Sequence, residues 1–303
     1  MAGVTLWETA RKPRDEAASA APPQGSRTRD FAVAGTQRQR DRSRTMSTPN
    51  VIPFARRAFS LARTEIAALG ALFIVALGSL TFADLAEDMR DPDNQMFDTR
   101  VLHFLRPYAD DPSRPWGPWW MKEAASDITS LGGISVLALF ATIVVVFLVI
   151  QRKWLSSVLL LVGLGGGVML SEGLKAIFER DRPPSIYQAT ETINASFPSG
   201  HALLSAVFYL SLGVMLTRAF PERRFKAYVL GVGIVITLLI GITRIYLGAH
   251  WASDVFAGWS VGAAWAMALW LVSYAVSRRQ RRHGGPLQDE ITMDVPATAT
   301  REV

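Results

Sequence analysis

Beyond residue 50 the chain alternates long uncharged runs with short charged connectors. Six such runs occupy 66–83, 128–150, 154–171, 202–217, 227–243 and 255–276, each 16 to 23 residues long. A helix rising about 1.5 Å per residue needs around 20 residues to cross a hydrocarbon layer of about 30 Å. The pattern therefore predicts an all-α, polytopic membrane protein, a bundle of six transmembrane helices over 51–282. The fourth and fifth runs are short for a crossing, and their helices are expected to continue into the polar residues that flank them.

Basic residues cluster at alternate ends of these runs. Arg56, Arg57 and Arg63 precede the first, and Arg152 and Lys153 separate the second from the third. Arg218, Arg223, Arg224 and Lys226 separate the fourth from the fifth, and Arg278, Arg279, Arg281 and Arg282 follow the sixth. Six crossings put all four clusters on one side, which the positive-inside rule assigns to the cytoplasm. Both termini are then cytoplasmic. The connector 84–127, with ten acidic and five basic residues, lies on the opposite face. The expected setting is the cytoplasmic (inner) membrane of a bacterium, with three loops turned to the periplasm.

Residues 1–50 are rich in Arg, Ala, Pro, Ser and Thr without an apolar period. Such a segment buries too little surface to offset the entropy of ordering, so it reads as a disordered tail. Met46 reads as the natural start of translation, with 1–45 an over-extended start or a dispensable tail, and 283–303 as a second disordered tail. Arg56-Arg57 before an apolar run has the outline of an export signal, but with no small-residue cleavage site the run reads as a retained anchor.

Composition then narrows the chemistry. The chain has no cysteine, which excludes disulfides, thiolate metal sites and a cysteine nucleophile. Its net charge of +6 sits at the ends of apolar runs, a mark of membrane orientation and not of nucleic-acid binding. Trp116, Trp119 and Trp120 read as an aromatic belt at the membrane surface. Gly163, Gly165, Gly166 and Gly167 in the third run, and Gly258, Gly262 and Ala266 in the sixth, read as packing faces for close backbone approach.

Of four histidines, His103 and His283 carry no recognisable pattern, whereas His201 and His250 fall at the outer ends of spans. Three clusters collect at that face: Lys175 to Arg182-Pro183, Pro198-Ser199-Gly200-His201, and Arg244 to His250 and Asp254. Lys175, Arg182 and Arg244 together call for an anion, because their repulsion and desolvation would otherwise be costly. Pro-Ser-Gly-His reads as a helix start with Ser199 as its cap, and a helix N-terminus is a seat for phosphate. His250 and Asp254, four apart, would share a helix face. The carboxylate would accept a hydrogen bond from Nδ1–H and leave Nε2 free to attack phosphorus, with His201 as proton donor to the leaving oxygen. The cations would hold the developing charge, so neither metal nor cofactor is expected.

Lys-x6-Arg-Pro, Pro-Ser-Gly-His and Arg-x5-His-x3-Asp, in that order, resemble the type 2 phosphatidic acid phosphatase superfamily over roughly residues 65–277. The resemblance implies a six-helix core and metal-independent hydrolysis of membrane lipid phosphates through a phosphohistidine. By motif position it assigns His250 as nucleophile, Asp254 as its orienting partner and His201 as general acid. Lys175, Arg182, Ser199, Gly200 and Arg244 become the phosphate ligands. Thr243 stands where the family usually has Ser, and it keeps a hydroxyl for hydrogen bonding. Soluble vanadium-dependent haloperoxidases share the site pattern, but the six apolar spans argue against them. The implied partners are the bilayer and a lipid phosphomonoester or pyrophosphate, of the phosphatidic acid, phosphatidylglycerophosphate, polyprenyl pyrophosphate or lipid A kind. Transfer to a second lipid instead of water is equally compatible with the motifs. An anion transporter is a remote alternative, since the charges sit at span ends and not mid-bilayer.

Overall fold

The computed structural model describes residues 51–89, 95–189, 194–219 and 222–282, with side chains from residue 65 to 280 apart from Ala219. The tails expected over 1–50 and 283–303 lie outside the described residues. Among the described residues nine α-helices follow in order: α1 (Val51–Asp88), α2 (Met96–Leu105), α3 (Trp119–Ser130), α4 (Ile134–Ile150), α5 (Trp154–Phe178), α6 (Gly200–Ser205), α7 (Ser211–Ala219), α8 (Arg223–Tyr246) and α9 (Ala252–Arg282). A single π turn, Ala206–Leu210, joins α6 to α7, making one span from Gly200 to Arg218.

Among the described residues five helices are long and apolar enough to cross a membrane, and the bent pair α3–α4, counted as one span, makes a sixth. The expected fourth and fifth spans do lengthen into their polar flanks. The second departs from expectation. It is not one helix over 128–150 but two, meeting at 45° across Leu131-Gly132-Gly133. Gly133 is extended (φ −70°, ψ 143°), and the carbonyl of Leu131 accepts a hydrogen bond from Tyr209 Oη at 3.0 Å. Two consecutive glycines lower the cost of leaving the helix, and the partner hydroxyl satisfies a carbonyl freed by the break.

The core is built around α6 and the π turn. Leu203, Leu204, Val207 and Phe208 pack with Leu137, Leu160 and Ile240 from α4, α5 and α8. α9 lies along the same helix at very short range: a Cβ on Gly258 would come within 2.6 Å of the Ser199 carbonyl, and one on Gly262 within 2.7 Å of Ala206 Cβ. The small-residue face expected in the sixth run is this contact. In the third run Gly163, Gly166 and Gly167 also meet neighbours, whereas Gly165 faces open space. α1 packs against α9 and leaves Ile66, Leu69, Leu72 and Phe73 exposed, which suits a helix surrounded by lipid.

At one end of the bundle, Arg278 pairs with Glu65 at 3.0 Å and Arg218 donates to Ser273. The three motif clusters lie at the other end. There α2 and α3 fold over the bundle, and the exposed Trp116, Trp119 and Trp120 lie at or just before the start of α3.

Candidate active site

Each motif reaches the site by a different local device. α5 ends at Phe178 and Glu179 turns left-handed (φ 45°), releasing the chain that carries Arg180, Arg182 and Pro183. Phe197, fully buried between the rings of Phe82 and Phe178, anchors the turn into α6. Beyond α8, Gly248 takes φ +68°, the left-handed region that favours glycine, and so turns the chain towards His250.

These devices bring Lys175, Arg182, Gly200, His201, Arg244 and His250 to the wall of one cavity of about 400 Å³, which Gly132, Ile134, Val168, Ser171, Glu172, Asn194 and Leu204 complete. Ser199 and Asp254 are fully buried and stand behind that wall. The eight residues singled out from the sequence therefore converge, although they come from α5, α6, α8, α9 and two connecting loops.

Several details differ from expectation. His250 precedes α9 and is not helical, so its nearness to Asp254 is set by the loop. Asp254 Oδ2 accepts the Trp251 N–H at 2.9 Å in the first turn of α9. The His250 Nδ1 to Asp254 Oδ2 distance is 3.6 Å, longer than a hydrogen bond. Ser196 sits beside the gap: its hydroxyl donates to Asp254 Oδ2 and lies 3.4 Å from Nδ1. Ser199 occupies the cap position of α6 but makes no side-chain cap, and its hydroxyl has no partner among the described residues. Lys175 is not an unpaired cation, because Glu172 Oε1 holds its ammonium at 2.7 Å. Thr243 gives its hydroxyl to the carbonyl of Ile240 at 2.6 Å, so the hydrogen bond it keeps is internal to α8.

The tautomer of His250 follows from its neighbours. Arg182 Nη1 stands 3.4 Å from Nε2, and a guanidinium can only donate. Nε2 must therefore present its lone pair, leaving the proton on Nδ1, towards Ser196 and Asp254. Burial pushes the His250 pKa down from 6.5 to about 4; the nearby Asp254 carboxylate opposes this, while Arg244 and Arg182 add to it. The ring is neutral at pH 7. Arg182 is itself braced by the carbonyls of Asn194 (2.5 Å) and Ala249 (2.7 Å).

Among the described residues three buried donors at this site are unpartnered: Ser171 Oγ and Arg244 Nε of the lining residues, and Ser199 Oγ behind the wall. Such groups are costly to bury unless a ligand supplies acceptors. Ser171 lies one helical turn before Lys175 and carried no motif, as did Glu172, Asn194 and the Gly132–Gly133 break. His201 lies against that break, with a Cβ on Gly132 falling 3.3 Å from its Cδ2.

Comparison with known proteins gives the same direction. The PAP2 superfamily model matches residues 155–278. Phosphatidylglycerophosphatase B of Bacillus subtilis is 33% identical over 147 residues, covering 47% of this chain and 70% of that one. Undecaprenyl-diphosphatase of Sulfolobus acidocaldarius is 25% identical over 46% of this chain and 68% of its own. Lipid A 1-phosphatase of Rhizobium etli is 34% identical over 80 residues, 26% of this chain and 30% of that one. The crystal structure of a transmembrane PAP2 type phosphatidylglycerolphosphate phosphatase from Bacillus subtilis superposes with a TM-score of 0.62 at 26% identity. It covers 68% of this chain and 98% of that one.

Proposed function

This chain belongs to the PAP2 superfamily and is a membrane lipid phosphate hydrolase; from that premise we propose that it works through a phosphohistidine on His250, without a metal, at the outer face of the membrane. The observation that carries this reading is the set of unpartnered buried donors, Ser199 Oγ, Ser171 Oγ and Arg244 Nε, around a cavity that also holds two imidazoles and three cations. A tetrahedral phosphate, with acceptor oxygens on every side, answers the donors of the cavity lining, Ser171 and Arg244, together with the cations.

In the proposed reaction the phosphate enters between Lys175, Arg182 and Arg244, near the first N–H groups of α6. Nε2 of His250 attacks phosphorus, the N–P bond forms and the P–O bond to the lipid breaks. His201 gives its proton to the leaving oxygen. The imidazolium that results is offset by Asp254. His201, now neutral, takes a proton from water, which attacks phosphorus and breaks the N–P bond. Inorganic phosphate leaves and both rings return to their starting states. Charge on the phosphoryl oxygens is held throughout by the guanidinium and ammonium groups, the role a metal would otherwise fill.

The outward orientation is supported by the basic connectors at the bundle end away from the site. For substrate, the match over 70% of phosphatidylglycerophosphatase B favours a glycerophospholipid phosphomonoester of the phosphatidylglycerophosphate type. Polyprenyl diphosphate follows, as in the second relative. The test is phosphate release by purified protein from phosphatidylglycerophosphate, phosphatidic acid, undecaprenyl diphosphate and lipid A, in excess chelator. Release from the first at the highest kcat/KM supports the reading. A strict metal requirement, or label passing to a second lipid in place of free phosphate, would refute it.

A further inference from the structure

Behind the nucleophile, Asp254 belongs to a buried group of charges whose other members, Asp98 and Arg180, are fixed positions of none of the three motifs. Arg180 falls between Lys175 and Arg182 in the chain but does not line the cavity. Its Nη1 donates to Asp254 Oδ1 at 2.5 Å and to Ser253 Oγ at 2.7 Å, and its Nη2 donates to Asp98 Oδ2 at 2.8 Å. Asp98 comes from α2, in the long connector 84–127. Its Oδ1 accepts the Ser253 N–H at 2.9 Å, in the first turn of α9, and its Oδ2 also accepts the Ser253 hydroxyl. The side chains of Asp98, Arg180 and Asp254 are 5%, 8% and 0% exposed.

A buried ion pair is a poor stabiliser, because desolvation offsets its attraction. Here the balance of charge points elsewhere. Two carboxylates face one guanidinium, and the surplus negative charge adjoins the ring that becomes cationic during the reaction. Resting on the reading of His250 as nucleophile, we propose that Asp98 and Arg180 are positioning residues for Asp254, making α2 part of the catalytic apparatus. Arg180 fixes the direction of the Asp254 carboxylate. Asp98 takes up the charge of Arg180, so that Asp254 keeps its own for His250.

The consequences of removal differ in kind. Without Asp98, the Arg180 charge falls wholly on Asp254 and opposes formation of the imidazolium. Without Arg180, two buried carboxylates are left near one another and one is driven to bind a proton. Without both, Asp254 is less well aimed but keeps its charge. The effects on turnover are therefore coupled and do not multiply.

The experiment is a double-mutant cycle in the full-length protein in detergent, with Asp98→Asn, Arg180→Gln, the double variant and His250→Ala. kcat is expressed per active molecule and KM is measured separately on short-chain phosphatidic acid. Asp98→Asn is expected to lower kcat about tenfold or more with KM within about twofold, and the double variant to retain a kcat about tenfold higher than the multiplied single losses would leave. A pair that only holds the fold would instead lower the melting temperature and the active fraction, with kcat per active molecule unchanged; that result overturns the proposal. If Asp98→Asn fails to fold, Ser253→Ala removes the shared hydroxyl without touching a charge. There kcat is expected to fall about threefold or more at constant KM, and an unchanged kcat overturns the proposal. His250→Ala separates the two readings: activity in that variant defeats both, whereas an inactive His250→Ala beside a fully active Asp98→Asn defeats only this one.

Discussion

His250 shows how one environment can make an imidazole both neutral and ready. Burial pulls its pKa from 6.5 to about 4, and the guanidinium of Arg182 beside Nε2 keeps that nitrogen unprotonated. The sign for activity follows. Protonated His250 has no lone pair for phosphorus, so kcat/KM is lost as pH falls through the pKa of the free enzyme. After correction for the substrate's own ionisation, the acid limb is expected to fall well below pH 6.5, near the lowered value. A limb above 6.5 would show that the neighbouring carboxylate outweighs burial. The motif residues were legible in the sequence because their residue types recur at fixed short spacings. Asp98 was not: it stands 82 positions from Arg180, and no local spacing marks a partner so remote. Arg180 was visible inside Lys-x6-Arg-Pro, but its neighbours made it one more cation of a cluster. Only the fold shows that it faces the other way.

The elements position these residues through close backbone contact. Gly258 and Gly262 let α9, which carries Asp254, lie directly on α6, which carries His201. Ser199 N–H donates to the Asp254 carbonyl at 2.9 Å at the point where the two helices begin. Gly258→Ala would push a methyl to 2.6 Å from the Ser199 carbonyl and should cost about 1–3 kcal/mol. It should be read as a lower melting temperature together with reduced turnover. Gly165→Ala is the matched control, because nothing lies within 4 Å of its Cβ, and it should leave both unchanged. Hydrophobic runs gave away the spans, since apolar length is what a membrane selects, but not every helix end: α5 runs on to Phe178 and α9 to Arg282, beyond the apolar residues. The break at Gly132-Gly133 was hidden, because glycines inside an apolar run signal packing as readily as bending. The loop position of His250 was hidden for a related reason: a four-residue spacing to Asp254 fits a helix, and the helix begins only at Ala252.

At the scale of the whole molecule, alternate connectors separate the chemistry from the basic residues. The cavity and its cations occupy one end; Arg152, in the connector between α4 and α5, and Arg223, Arg224 and Lys226, in the first turn of α8, lie at the other. With no native cysteine, single reporters are clean. Asp110→Cys should react with a membrane-impermeant maleimide in intact spheroplasts, whereas Arg152→Cys should react only after permeabilisation. The opposite pattern would turn the site towards the cytoplasm. The connector between the first two long spans, acidic and set with tryptophans, folds into α2 and α3 and delivers Asp98 to the back of the site. Composition marked it as polar and aromatic but could not show that one of its carboxylates is buried.

The central claim is that the phosphoryl group passes through His250, and trapping it is the most direct test. Full-length protein mixed with phosphorus-labelled phosphatidic acid and quenched in alkali within the first turnover should carry label on His250 that is stable to base and released by acid. The label should be absent from His250→Ala. Label on another residue, or hydrolysis by His250→Ala at the wild-type rate, would contradict the account.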